Sequence, residues 1–433
     1  MLRTFAIVTT LLLAVLPARA VEIQTVTGPD TGVGALLVED RTNPIVTLRI
    51  SFPDGALIER DGEEGLVNLL STMLDEGAGD LDAAAFQERL DVLGVRFFAS
   101  SGAEGFRVGV SALEDRFPEA VELLADALGA PRFDPEPLAR MQRQIVSSLS
   151  ASRATPRSRA GARVRELIWG DHPYARDTDG DPAIIAAATA DDLEAMRERL
   201  FVREGTAVAA VGAIDATGLA EAVDTVFARL PERGDADPVP PAAPNFGLDE
   251  TLTLPTGQAS IQVVLPAPRR EDDDFFAAFL VNHVLGGGTF TSRLYEELRE
   301  KRGLTYGASS GISTRDAAAT WSASVSTRPE NVGEARAILI EEIGRMAAEG
   351  PTAGELDAAK AFVKGSYAIN NLDSSGSVAG VLLGIQQYDL GLDYIDRREE
   401  LIDAVTIEDA RRVAARYLGA EPTVITVLPE GEG

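Results

Sequence analysis

The chain has no cysteine and only two histidines, His172 and His283, in 433 residues. Without cysteine there can be no disulfide, no thiolate nucleophile and no Cys-ligated metal, whatever the redox state of the compartment. The two histidines stand 111 positions apart, so they cannot form the i, i+4 pair with which one helix holds a metal ion. Long apolar runs are also missing, apart from Phe5 to Leu16. That run follows Arg3 and ends at Ala18-Arg19-Ala20, the pattern of a secretory signal peptide over residues 1–20. It is too short to anchor the chain in a membrane, and no cysteine follows it to carry a lipid. An exported, periplasmic protein of a bacterium is expected.

Positive charge is in short supply, with 40 Lys and Arg against 68 Asp and Glu. Removing the signal takes away Arg3 and Arg19 and no acid, which moves the net charge from −28 to −30. Such a surface repels nucleic acid and anionic lipid. A basic protein or peptide suits the field better, although acidity also serves solubility.

What the chain does have is a repeat. Hydrophobic residues make up 45%, enough for two cores. A proline-rich segment, DPVPPAAP from Asp237, lies in a linker at 233–247 between an N-terminal half (21–232) and a C-terminal half (248–433). VGVSALEDRFPEAVELLADALG from Val108 matches SASVSTRPENVGEARAILIEEIG from Ser322, placing Ser111 on Ser326 and Ala120 on Ala335, a shift of 215. A second match places Thr189 on Thr406 and Thr206 on Thr423, a shift of 217. Each leading Thr is an N-cap, with Asp192 or Asp409 three residues on. A period this long implies duplication of a whole α+β domain. Each copy should be an antiparallel sheet with one face covered by helices. Helices are expected near 81–93, 117–128, 136–152 and 191–200. Strands are expected at 34–38, 45–52, 106–111 and 207–211, and again at 251–254, 259–265, 319–326 and 423–427.

The most specific stretch is LYEELREKRGLTYG, Leu294 to Gly307. It is an amphipathic helix with Leu294 and Leu298 on one face and charges on the other, followed by a Gly-aromatic turn. Before it runs Gly286-Gly287-Gly288-Thr289-Phe290-Thr291-Ser292-Arg293. This loop and helix resemble the C-terminal half of the insulinase/pitrilysin family of zinc peptidases (processing-peptidase-like), and the resemblance covers essentially the whole mature chain. It implies two α+β halves joined by a flexible hinge and facing one another across a cavity. It also implies an Arg and a Tyr seven residues apart that reach a substrate carbonyl, here Arg299 and Tyr306, beside a glycine loop, Gly287 and Gly288, at the substrate.

The resemblance makes one departure conspicuous. Active members carry His-x-x-Glu-His on a helix of the first half, which puts two imidazoles on one face and a general base between them. Here that helix reads GLVNLLSTMLDEG from Gly65, and the chemical positions hold Asn68, Ser71 and Thr72. An amide and two hydroxyls are poor zinc ligands, and none is a base near neutral pH. The third ligand position falls near Ser148 or Leu149, where no carboxylate stands. Elsewhere, His172 sits in a turn before Pro173 and His283 near a helix end. Asp177 to Asp181 lacks the later Glu of a calcium loop, and the triple glycine lacks the Lys-Ser/Thr of a phosphate loop.

The expected role is therefore a non-catalytic, substrate-binding subunit that holds no metal. It would contribute Arg299 and Tyr306 in trans to a homologous subunit bearing zinc, the pair forming a heterodimer that cleaves peptides or unfolded protein. The alternative is a peptidase-like scaffold or peptide-binding protein with no protease partner. A hydrolase using Ser71, Thr72 or Ser148 as nucleophile has no His nearby in sequence to activate it.

Overall fold

A computed structural model describes residues 22–430, so the expected signal peptide lies outside the described residues. The N-terminal half runs β1 (Gln24–Thr27), β2 (Gly34–Glu39), β3 (Ile45–Phe52), α1 (Leu66–Met73), a two-residue ladder of β4 (Gly77–Ala78) with β5 (Leu81–Asp82), α2 (Ala83–Leu93), β6 (Arg96–Ser101) and β7 (Phe106–Leu113). It continues through α3 (Phe117–Gly129), α4 (Pro135–Arg153), α5 (Pro156–Trp169), α6 (Pro182–Ala187), α7 (Ala190–Leu200), β8 (Ala207–Gly212) and α8 (Ala216–Phe227). The C-terminal half runs β9 (Asp249–Leu254), β10 (Ala259–Pro266), α9 (Phe275–Asn282), α10 (Arg293–Tyr295), β11 (Thr305–Thr314), β12 (Ala319–Thr327) and α11 (Val332–Glu349). It ends with α12 (Ala353–Gly365), α13 (Tyr367–Asn371), α14 (Ser375–Gln387), α15 (Tyr394–Ala404), α16 (Ile407–Val413) and β13 (Thr423–Pro429).

Each half is an α+β unit. The strands are ordered β1-β2-β8-β3-β7-β6 in one sheet and β11-β12-β10-β13-β9 in the other. Alternation sets the inner faces. Val46, Leu48, Ile50 and Phe52 of β3 and Phe106, Val108 and Val110 of β7 enter one core, while Ile261, Val263, Trp321, Ala323 and Val325 enter the second. Both repeat-related Thr residues cap as expected: Thr189 with Asp192, and Thr406 with Asp409, form complete capping boxes.

Three features differ from the sequence expectation. The sheets are not wholly antiparallel, because β2 pairs with β8 and β9 with β13 in parallel. Each of those partners is reached only after a long helical crossover, the connection a parallel pair needs. Nor is only one face of each sheet covered. The outer face of the first sheet, with Leu36, Val38, Ala207, Ala209 and Val211, is apolar and lies under Val378, Ala379, Leu382 and Leu383 of α14 from the other half. In return α5 crosses the outer face of the second sheet near β9 and β13. The N-caps of α5 and α14, Thr155 and Ser374, stand 219 apart, so this is a reciprocal exchange of repeat-related helices.

The third difference is the linker, which is strapped rather than free. His172 Nε2 lies 2.9 Å from the Pro240 carbonyl, Asn245 N donates to Ile168 O at 2.7 Å, and Arg60 pairs with Asp237. Phe246 packs against a cluster holding Trp169 and Tyr174. Further bonds cross between the halves. The Gln386 amide bonds both the N–H and the C=O of Val208, Thr47 meets Ser375 at 3.0 Å, and Asp316 N donates to Glu104 at 2.9 Å.

α1 begins at Gly65, whose φ of +100° and tight approach to Gly180 and Ile185 exclude a side chain. Its free N–H groups are met by Glu59, buried and accepting from Gly65 N at 3.1 Å and Val67 N at 2.8 Å. Burial pushes this carboxyl up from 4.5 to about 7 despite those bonds. Between these values the folded chain holds a proton that the unfolded chain has lost, so stability falls as pH rises through this window. Glu59→Gln removes that loss. Denaturant titrations should show the variant gaining on wild type from pH 5 to pH 8, by no more than about 3 kcal/mol, and a pH-independent difference would refute the assignment. Leu382→Ala, at the seal between the halves, should cost about 2–5 kcal/mol in the same measurement.

Candidate functional site

The N-terminal part of the site is α1 and the neighbouring edge strand β6, which pairs only with β7. Leu66, Val67, Leu69, Leu70 and Met73 face the core, which turns Asn68, Ser71 and Thr72 outward on one side of the helix. This is the face that the sequence assigned to the degenerate metal motif. The polar groups on it are spent locally. Asn68 Nδ2 donates to Asp179 O at 2.9 Å, Ser71 Oγ to Asn68 O at 2.7 Å and Thr72 Oγ1 to Leu69 O at 2.8 Å. All three donate to carbonyls, and what they have left to offer an ion is a neutral amide or hydroxyl oxygen, a poor ligand for zinc. On α4, Ser148 is exposed and Leu149 lies in the core. The zinc implied by the resemblance therefore does not fit the residues present. Among the described residues, no three or more His, Cys, Asp or Glu stand together as a metal-holding group.

The remaining polar residues weighed from sequence have structural roles. His172 Nδ1 accepts from Tyr174 N at 3.1 Å while its other nitrogen meets the linker. His283 is half-buried 5.0 Å from the Phe362 ring, and desolvation lowers its pKa. In the aspartate turn, Asp177 pairs with Arg153 and Arg165, and Asp181 caps α6.

The C-terminal part is the glycine loop, α10 and the start of β11. Asn282 anchors it from below, its Oδ1 accepting from Ser310 Oγ at 2.7 Å and Trp321 Nε1 at 2.9 Å. A π-helical turn over His283–Gly287 follows, then Gly288, where an added Cβ would meet the His283 carbonyl at 2.8 Å. Gly287 is exposed, and Thr289 takes a left-handed φ of +47°. The loop thus presents Phe290 to solvent, edge-on to Tyr295 at 5.1 Å between ring centroids. On the other side, the Arg299 guanidinium lies 5.0 Å from the Tyr295 centroid. Arg299 makes no ion pair among the described residues. The neighbouring carboxylate Glu297 is taken by Lys301 and Arg302, and Glu296 by Lys301.

Tyr306 sits in a bulge. Thr305 pairs with Thr327 and Ala308 with Val325, leaving two residues of β11 unmatched between them. Thr305 Oγ1 pins the bulge by donating to Ser326 O at 2.6 Å. The result is a tyrosine 90% exposed, with no hydrogen-bond partner among the described residues. Neither Arg299 nor Tyr306 is thus absorbed into a helix ion pair or the core. They lie in the C-terminal half and Asn68, Ser71 and Thr72 in the N-terminal half, and no hydrogen bond among the described residues joins the two sets. Sequence reading passed over Tyr295 and Phe290, although an aromatic four residues before Arg299 on one helix was a usable signal.

The chain is similar to known proteins along most of its length. Residues 35–181 match the family model described as "Insulinase (Peptidase family M16)", and residues 187–363 match "Peptidase M16 inactive domain". An uncharacterized zinc protease of Streptomyces coelicolor is 25% identical over 92% of this chain and 88% of its own. A protein of Helicobacter pylori named a non-peptidase homolog is 23% identical over 77% of each chain. Among solved structures, the peptidase M16 inactive domain from Pseudomonas fluorescens superposes with a TM-score of 0.87 and 27% identity, covering 94% of this chain and 98% of that one. With its two duplicated halves and its degenerate metal helix, the chain belongs to peptidase family M16, the insulinase family.

Proposed function

We propose that this chain is the non-catalytic, substrate-binding subunit of an exported heterodimeric zinc metallopeptidase. The observation that carries the reading is the contrast between its two half-sites. Asn68, Ser71 and Thr72 donate to the chain's own carbonyls, whereas Tyr306 stands 90% exposed and Arg299, seven residues earlier, has no ion pair among the described residues. The Tyr306 hydroxyl donates to the scissile carbonyl and steadies the developing oxyanion, while zinc and the general base come from the partner. Arg299, steadied by the Tyr295 ring, holds substrate backbone or carboxylate through its planar fork. Gly287 is exposed and offers its backbone to a peptide, Gly288 is buried against His283 and serves the loop itself, and the open edge of β6 suits an added strand. The leader at 1–20 supports export to the periplasm.

The Helicobacter relative, a non-peptidase homolog by name, favours a second reading, a peptide-binding scaffold that works without a protease partner. Metal analysis and peptide cleavage separate the two readings. The mature chain alone should hold no stoichiometric zinc and cleave nothing. Mixed with a homologue bearing an intact His-x-x-Glu-His motif, it should form an active, chelator-sensitive pair. In that pair Tyr306→Phe should lower turnover by about ten- to a thousandfold. Unchanged turnover in the variant, or cleavage by the chain alone, would end the trans-site account.

A further inference from the structure

The two exchanged helices fit their sheets differently. Under α14 the middle of the contact is apolar, with Ala379 and Leu382 fully buried, and the space of about 810 Å³ at the helix's N-terminal end is lined by the acids Glu22, Glu39, Asp40 and Asp373. Under α5 a cavity of about 540 Å³ remains between the helix and the outer face of the second sheet. Its roof is built of small residues, Ala160 and Gly161, with Arg157 one turn earlier. Its floor is Ser260 and Gln262 of β10, flanked on one side by Ser322, Ser324 and Ser326 of β12 and on the other by the apolar Ile425 and Val427 of β13. The strand register sets Ser260 opposite Ser326 and Gln262 opposite Ser324, so these side chains form one polar patch. None of the five makes a side-chain hydrogen bond among the described residues, so their bonding capacity faces the cavity unused.

Charge singles this cavity out. The chain has 68 acidic residues, yet no carboxylate lines the space. Four other cavities all contain acids, including Glu104 and Asp316 in one, Glu122 in a second, Glu232 in a third and Asp373 in a fourth. Arg157 is exposed and has no ion pair among the described residues, and Arg159 adds a second unpaired cation on the same helix. The cavity also shares a face with the candidate site. The bulge brings Tyr306 out beside Ser326, at the edge of the patch, two strands or about 10 Å from Ser260.

We propose that this cavity receives the carboxylate side chains, Glu or Asp, of an extended peptide bound past Tyr306. Arg157 supplies the cation, and the serine hydroxyls and the Gln262 amide supply the remaining donors. The proposal rests on the reading of the Arg299–Tyr306 segment as a peptide-binding surface, and adds to it a preference for acidic substrate.

The test uses the mature chain and two dye-labelled peptides with blocked ends, identical except that each Glu of one is Gln in the other. Blocking removes the terminal carboxylate as a competing source of charge. By fluorescence anisotropy the Glu peptide should bind about tenfold more tightly at low salt. Added salt should shrink the preference. Arg157→Gln should bring the Glu peptide to the affinity of its Gln counterpart. Arg159→Gln, outside the lining, should leave the preference in place. Equal affinity of wild type for both peptides, or a preference that survives Arg157→Gln, would overturn the proposal while leaving the peptide-binding reading intact. Binding of neither peptide would sink that reading, and this proposal with it.

Discussion

The rest of the structure depends on the burial of β8 between two apolar layers. One face of this strand, Val208 and Ala210, enters the N-terminal core, and the other, Ala207, Ala209 and Val211, enters a cluster completed by α14. A strand apolar on both faces needs two covers, and here the second comes from the opposite half of the chain. Moving the halves apart would expose this apolar surface and break the paired bonds between Gln386 and Val208. The strapped linker follows from the same constraint. Once α14 and α5 have crossed, the segment at 233–247 has little freedom left: its Pro240 carbonyl meets His172, and Asn245 donates through its backbone N–H and Nδ2 to Ile168 O and Leu167 O at the end of α5.

That rigidity bears on the site. Arg299 and Tyr306 are displayed by short-range devices: a π-helical turn at Glu296–Glu300, an aromatic ring beneath the guanidinium and a threonine-pinned bulge. Such devices hold their geometry only on a stiff base. The base is the second core, tied to the loop through Asn282, Ser310 and Trp321. On the other half α1 retains the helix that a metal site would need, capped by Glu59 and seated on Gly65. The scaffold has thus kept the placement while the side chains have lost the coordinating chemistry.

Much of the fold was legible in the sequence because its signals are local. The capping boxes at Thr189 and Thr406, the alternation in IVTLRISF and WSASVST, and the internal shift of about 215 residues each follow from backbone geometry within one element. The site was legible only in part. Asn68, Ser71 and Thr72 could be located from the motif spacing, but nothing in the spacing said where their polar groups would turn. Tyr295 went unnoticed because its part is to support Arg299 through the face of its ring.

The sequence by itself determined the duplication, eight of the strands but not β1, β6 or β11, the absence of any Cys or clustered His to hold a metal, and the identity of the residues on the degenerate helix. These are properties of composition and period, and no tertiary contact can change them. Tertiary structure alone decided which strands pair in parallel, which helix covers which sheet, that Glu59 is buried and that Tyr306 is not. The physical reason is that an apolar or polar face records what a surface needs, water or cover, and carries no address for what supplies it. That address is set by long-range packing: α14 brings the apolar middle of its sequence onto one sheet, and the arginine-rich α5 leaves a polar space over the other.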